Sequence, residues 1–167
     1  NNNFQEIKVY RKFVDSIPYF IETKILINYS GKTKDLDLGS VLPETFKLSQ
    51  INSDLKVTFK NNHYYATINS GSHFVLFKSF SNNPVDSISV TGLVNESENE
   101  IWSIQKNINI RNLDVSNVNI VDSQQVNVPN EWRKLPSYLV KDKLTFNTSQ
   151  QGLSLNTSLK VNAQRNS

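Results

Sequence analysis

Few residues in this chain could do chemistry, and their spacing decides how each is read. Two histidines occur, His63 and His73. A metal centre needs several ligands that converge. Neither histidine belongs to an H-x-x-x-H or D-x-D spacing, so both are expected as ordinary turn or strand-end residues. Asp35 and Asp37 share one face of a strand, with Glu44 beyond a loop. Glu96, Glu98 and Glu100 alternate beside Asn95 and Asn99. Two carboxylates can hydrolyse a glycosidic bond when a cleft holds them at a controlled separation. A solvated loop is the plainer reading of the acidic run. Calcium is the one cofactor kept open there, because carboxylate and amide oxygens are hard ligands. The sequence has no G-x-S-x-G elbow, G-x-G-x-x-G loop or P-loop, so the usual frames for a serine nucleophile or a nucleotide phosphate are missing. It has no cysteine either, which removes thiolate nucleophiles, disulfides and zinc knuckles together. The chain is expected to be non-catalytic. A hydrolase using Asp35, Asp37 or the acidic run is the remote alternative.

Aromatic residues supply the other candidate site. Tyr64 and Tyr65 are adjacent, so on a strand they point to opposite faces. One is expected in the core and the other at the surface, where a ring can stack on a sugar or a peptide. Trp132 and Arg133 lie between Pro129 and Pro136. Prolines lack the donor a central strand needs, so this segment is expected as an ordered loop that lids the fold with Trp132. The sharper reading makes it a binding loop that presents Trp132 and Arg133. The candidate ligand-binding set is therefore Trp132, Arg133, Tyr64 and Tyr65.

The elements that must position these residues are strands. Val, Ile, Leu, Phe and Tyr dominate the apolar residues of the 167-residue chain, while Ala is nearly absent. That balance favours pleated sheet over helix. Ile21, Thr23, Ile25, Ile27 and Tyr29 fall on one face, opposed by Glu22, Lys24 and Asn28. Trp102, Ile104, Ile108 and Ile110 form a second apolar face, broken at Lys106. Shorter strands are expected over Phe4–Phe13, Thr33–Leu38, Leu55–Lys60, Tyr64–Asn69, Phe74–Phe80, Ser87–Leu93, Val118–Val121, Tyr138–Val140, Lys143–Asn147 and Ser154–Val161. Turns are expected at Ser30-Gly31-Lys32, which reads as a hairpin, and at Lys60-Asn61-Asn62-His63. Asn69-Ser70-Gly71-Ser72 and Lys141-Asp142-Lys143 are two more. The one helical turn expected lies at Pro129–Trp132, where proline can start a helix. Strand and turn recur every 8–12 residues or so, as in a sandwich or barrel. The fold expected is an antiparallel β-sandwich, jelly-roll or immunoglobulin-like. It is read as one region over 1–167, with an internal boundary at 81–86 as the place where two small sandwiches would meet.

Composition narrows the function class. Nine Phe, six Tyr and two Trp are enough for a core. A net charge of +3 is weakly basic, and the lysines are interleaved with acids, which speaks against a nucleic-acid partner. No apolar run is long enough to cross a bilayer as a helix. The sequence contains no Met, even at its first position, as expected of a processed chain or a piece of a longer one.

Five phrases carry a resemblance. They are Val9-Tyr10-Arg11-Lys12-Phe13-Val14-Asp15-Ser16-Ile17-Pro18, Ser30-Gly31-Lys32, Leu38-Gly39-Ser40-Val41-Leu42-Pro43, Glu100-Ile101-Trp102-Ser103, and the run from Val128 through Pro136 to Tyr138. In that order they resemble a stretch of large, uncharacterised membrane-anchored proteins of the Gram-negative envelope. The resemblance implies a β-sandwich region of a longer polypeptide, placed in the periplasm, at the cell surface or in the secreted fraction. It implies no activity and no site residues. The function expected is a structural or protein-interaction module, with a carbohydrate-binding module as the alternative. Its partner would be a protein or glycan of the cell envelope.

Overall fold

Alternation of burial along the strands sets the architecture. The computed structural model describes residues 3–149, and the expected strand Ser154–Val161 lies outside them. The first strands are β1 (Phe4–Val14), β2 (Tyr19–Ser30), β3 (Lys34–Gly39) and β4 (Lys47–Ser53). They are followed by β5 (Lys56–Lys60), β6 (His63–Ile68), β7 (Gly71–Ser81) and β8 (Ser87–Ser89). The last are β9 (Glu100–Gln105), β10 (Asn112–Ser116), β11 (Asn119–Val121), β12 (Ser137–Val140) and β13 (Lys143–Ser149). Asn130–Trp132 is a single 3-10 turn, at the place expected for a helical turn.

The strands form three sheets. A central sheet runs β11-β12-β9-β1-β2-β7-β4, and two three-stranded sheets run β10-β13-β8 and β3-β6-β5. Ile21, Thr23, Ile25 and Ile27 of β2 are all buried on one face, as their alternation requires. On that face Val9, Ile25, Ile27, Val75 and Phe77 pack against Leu36, Leu38, Ala66 and Ile68 of the β3-β6-β5 sheet. Next to this, Phe13, Ile21, Trp102 and Ile104 pack against Ile88, Leu113, Leu144 and Phe146 of the β10-β13-β8 sheet. The fold is an all-β sandwich in which two small sheets share one large partner. The ladders are antiparallel except for β1 with β9, which is parallel. A parallel neighbour needs a long crossover, and the chain between β1 and β9 supplies it.

Several local expectations change. The alternating strand expected from Trp102 to Arg111 stops at Gln105. Ile108 sits in a turn at 57% exposure. Ser30-Gly31-Lys32 does not close a hairpin, because β2 and β3 belong to different sheets. It is a crossing between layers, and so is the turn before β7. The Ser70 hydroxyl ties the two together by donating to Gly31 O and accepting from Gly31 N, at 3.0 Å each. Asn61 and Asn62 do close a hairpin, joining β5 to β6 with φ of 52° and 63°. Two successive left-handed residues make the tight turn that matches strand twist. Residues 81–86 join β7 of the central sheet to β8 of a small one. The central sheet draws strands from both sides of that segment.

Candidate functional site

Charged residues inside the fold come first, because burying charge is costly without a partner. Arg11 lies between Val9 and Phe13 on the inward face of β1 and is 0% exposed. Its Nε donates to Glu100 Oε1 at 2.7 Å and its Nη2 to Glu100 Oε2 at 3.0 Å. Its Nη1 donates to Thr23 Oγ1 at 2.9 Å. Trp102 Nε1 also donates to Glu100 Oε1, at 2.9 Å. The guanidinium carbon stands 5.7 Å from the Trp102 ring centre. This is a bidentate fork with its remaining atoms engaged, the geometry that makes a buried pair tolerable. It forms a polar seam between the two apolar clusters. Glu100 therefore does not belong to a solvated acidic loop. It is the first residue of β9 and points into the core.

The signal for this network was present in the phase of the strands. Arg11 is in register with Val9 and Phe13, and Glu100 with Trp102 and Ile104. Opposite charges at two in-phase apolar positions mark strands that meet. A second pair joins residues just outside the strands, Asp15 after β1 and Arg111 before β10. Asp15 is fully buried and accepts from Arg111 Nε at 2.8 Å. The Arg111 guanidinium lies 4.9 Å over the Tyr19 ring.

Each histidine finds a carboxylate that its sequence neighbourhood did not reveal. His63 Nδ1 stands 2.9 Å from both oxygens of Asp37. Burial pushes the Asp37 carboxyl up, but the hydrogen bonds from His63 and from the Gly39 N–H outweigh it and hold the group below its ordinary value. Asp35 is engaged separately, accepting from Thr67 Oγ1 at 2.8 Å. A base and its orienting carboxylate are thus present at His63. A hydroxyl nucleophile is not among its hydrogen-bond partners within the described residues. His73 bonds on both ring nitrogens, Nδ1 to Asp54 Oδ2 at 2.7 Å and Nε2 to Asn69 O at 2.8 Å. Two acceptors favour the doubly protonated ring. The hydrogen bond to Asp54 raises the His73 pKa and outweighs burial, which lowers it.

The acidic run does not converge. Glu100 is locked to Arg11, while Glu96 Oε1 accepts from Gln5 Nε2 at 2.9 Å. Among the described residues, no group of three or more His, Asp or Glu stands where it could hold a metal ion.

The four candidate binding residues separate. Trp132 is 3% exposed and packs with Tyr10 and Val128 on the outward side of the central sheet. Residues 122–136 form an arm of successive turns over that side, with Val128 N donating to Ser123 O at 3.0 Å and Leu135 N to Trp132 O at 3.0 Å. The Tyr10 hydroxyl donates to Val126 O at 2.7 Å and holds the arm down. Desolvation, with Glu6 nearby, raises the Tyr10 pKa. Arg133 is half-buried, and its Nε donates to Val128 O at 2.7 Å. Tyr64 is 6% exposed and meets Phe77 edge-on at 5.0 Å. Tyr65 faces outward and is half-exposed, its ring 6.4 Å from that of His63. The structure thus holds Trp132 as a lid and leaves neither Trp132 nor Tyr64 an open ring face.

Comparison with known proteins adds the fold's relatives. No family model matches the chain, and no curated protein matches it. Among solved structures it is similar to an aminopeptidase N family protein from Idiomarina loihiensis, with TM-score 0.51 and 9% identity. That match covers 85% of this chain and 29% of the other. It is also similar to an M1 zinc metallopeptidase from Deinococcus radiodurans, with TM-score 0.41 and 6% identity, over 86% of this chain and 41% of that one. The chain therefore spans under a third of the first protein and about two fifths of the second. At 9% identity the first likeness shows the fold alone: the same arrangement of strands occurs as one portion of a longer protein.

Proposed function

We propose that this chain is a non-catalytic β module that works by contact with another protein, as one part of a longer extracytoplasmic polypeptide. The observation that carries the reading is the outward face of the central sheet. Along β2 and β7 every inward residue from Ile21 to Ile27 and from Val75 to Ser81 is buried, and every outward neighbour is half-buried or open. Those outward neighbours include Phe20, Phe74, Leu76 and Phe80. The half of a sheet face that carries large apolar side chains outside the covering arm suits association better than solvation. The fold's occurrence as a portion of a longer protein supports the same reading. The resemblance to membrane-anchored envelope proteins supports the extracytoplasmic setting.

Two assays test it. Two-dimensional NMR of the labelled chain is recorded against a panel of glycans and cell-wall polymers, because both Trp rings are buried and their fluorescence follows the fold. No saturable shift is expected. A saturable response abolished by Tyr65→Ala would convert the reading to a carbohydrate-binding module. Chromogenic aminoacyl and glycoside substrates, with zinc or calcium added, are expected to show no turnover. Turnover lost in the Asp35→Asn/Asp37→Asn double variant would overturn the non-catalytic reading.

A further inference from the structure

We infer that the open half of the central sheet's outward face is a docking groove for an acidic, amphipathic segment of a partner protein. The inference rests on the contact reading above and names its surface and partner chemistry.

The arm 122–136 covers only one half of this face, over Tyr10, Leu26 and Ile101. Beyond it the cross-strand register sets Phe20 beside Phe80, and Phe74 beside the arm-covered Leu26. Between these apolar rows lie Glu22 beside Lys78 and Lys24 beside Leu76. Phe20 is 44% exposed, and Ile17 at the same end of β2 is 80% exposed. The apolar side chains run as a stripe along β2 and β7.

Charge identifies the occupant. Lys8 and Lys12 of β1, Lys24 of β2, Lys78 of β7 and Lys47 of β4 point outward, against Glu6 of β1 and Glu22 of β2. The whole chain is far more balanced, with 18 basic and 15 acidic residues. Among the described residues, Lys12 pairs loosely with Glu22 at 3.9 Å, while Lys8, Lys24, Lys47 and Lys78 form no ion pair. Lys24 Nζ rests 5.7 Å over the Phe74 ring. An apolar stripe with lysines along it is complemented by apolar side chains flanked by carboxylates.

Shape favours a polypeptide over a bilayer. Next to the arm, Lys8, Lys24, Leu26, Phe74 and Asn127 line a cleft of about 350 Å³. A concave floor behind a raised arm receives an inserted side chain, whereas a membrane takes up protruding ones. Strands spaced about 4.8 Å apart make the open half wide enough for a helix of about 10–12 Å diameter. The partner segment is thus an amphipathic helix of two or more turns with Asp and Glu beside its apolar face.

The test uses the whole chain, isotope-labelled, with three probes. The first is an amphipathic peptide of about five turns with Leu and Phe on one face and Glu on the other. The second is the same peptide with Lys for Glu. The third is vesicles of phosphatidylcholine and phosphatidylserine. The acidic peptide is expected to bind saturably, to shift amides of β2 and β7, and to bind at least about tenfold more tightly than the basic one. The Lys24→Glu/Lys78→Glu variant, checked for an unchanged thermal melt, should lose about tenfold or more. If that variant melts early, Lys24→Gln/Lys78→Gln replaces it. Equal affinity for both peptides, shifts on another surface, no binding, or binding to vesicles alone would each overturn the inference. Of these, vesicle binding would identify a lipid surface as the partner. A glycan hit or turnover in the earlier assays would sink the contact reading itself, so the two failures are distinguishable.

Discussion

At the scale of single residues, the Arg11–Glu100 pair is the most consequential feature. Removing one partner of a buried pair strands the other charge, which costs about 3–5 kcal/mol. Glu100→Leu is expected to lower stability by about that amount in urea unfolding. The Arg11→Met/Glu100→Leu double variant should recover much of it, because a well-packed apolar replacement is often neutral or better. A double variant no more stable than the single would show that the fork is needed in itself. His73 and Asp54 set a pH dependence. His73 has a raised pKa, so its contribution is full below the ordinary imidazole value of 6.5 and is lost as pH rises through the raised value. The Asp54 carboxyl is pushed up by burial but lowered further by bonds from His73 and the Phe74 N–H, so its contribution is present above 3.8 and is lost as pH falls through the lowered value. The pair contributes most between those ordinary values. In melting curves across pH, Asp54→Asn should flatten both limbs. Unchanged limbs would assign the pH dependence elsewhere.

At the scale of elements, turns and the arm carry the testable strain and packing. Asn61 and Asn62 both occupy left-handed backbone at the β5–β6 hairpin. A β-branched residue there meets its own carbonyl, costing about 1–2 kcal/mol per position. Asn61→Val/Asn62→Val should destabilise the chain by about 2–4 kcal/mol on that basis, read by thermal melting. An unchanged melt would mean that the turn relaxes into another form. Gly39 is tighter still, since at φ +94° an added Cβ would stand 2.5 Å from Leu93 O. The arm depends on Trp132, whose ring is enclosed with Tyr10 and Val128. Trp132→Ala removes a large buried side chain and should cost about 3–5 kcal/mol. The loss should appear as faster amide exchange over 122–136 before the rest of the fold opens.

At the scale of the whole molecule, the central sheet makes the two halves interdependent. β1, β2, β4 and β7 precede residues 81–86, while β9, β11 and β12 follow them, and β1 pairs with β9 in the middle of the sheet. A single calorimetric transition is expected, with equal calorimetric and van't Hoff enthalpies. Chains cut at 81–86 should leave neither half folded alone. Two resolved transitions would show that each small sheet and its half of the central sheet form a separate unit. The inferred docking groove belongs to this scale too, because its stripe exists only when β2 and β7 lie side by side.

The sequence by itself determined most of the strands and the inner face of β2. Period-2 alternation depends on local geometry, so Ile21–Ile27 and the Asn61-Asn62 turn were legible without any partner. Two strands were missed. Lys47–Ser53 is an edge strand whose register shifts between Leu48 and Gln50, which breaks its alternation. Asn112–Ser116 is short and half polar. Only the tertiary structure decided which strands are neighbours, because pairing across long separations is set by the layer a crossing loop leads to. For that reason Ser30-Gly31-Lys32 looked like a hairpin, and Glu100 looked like the end of a loop. The same limit applies to the candidate site. An aromatic residue between prolines is equally suited to a lid or a platform, and the arm's hydrogen bonds to Tyr10 and within 122–136 made Trp132 a lid. His63–Asp37 and His73–Asp54 join residues 26 and 19 positions apart, and no spacing rule connects them until the strands are laid side by side.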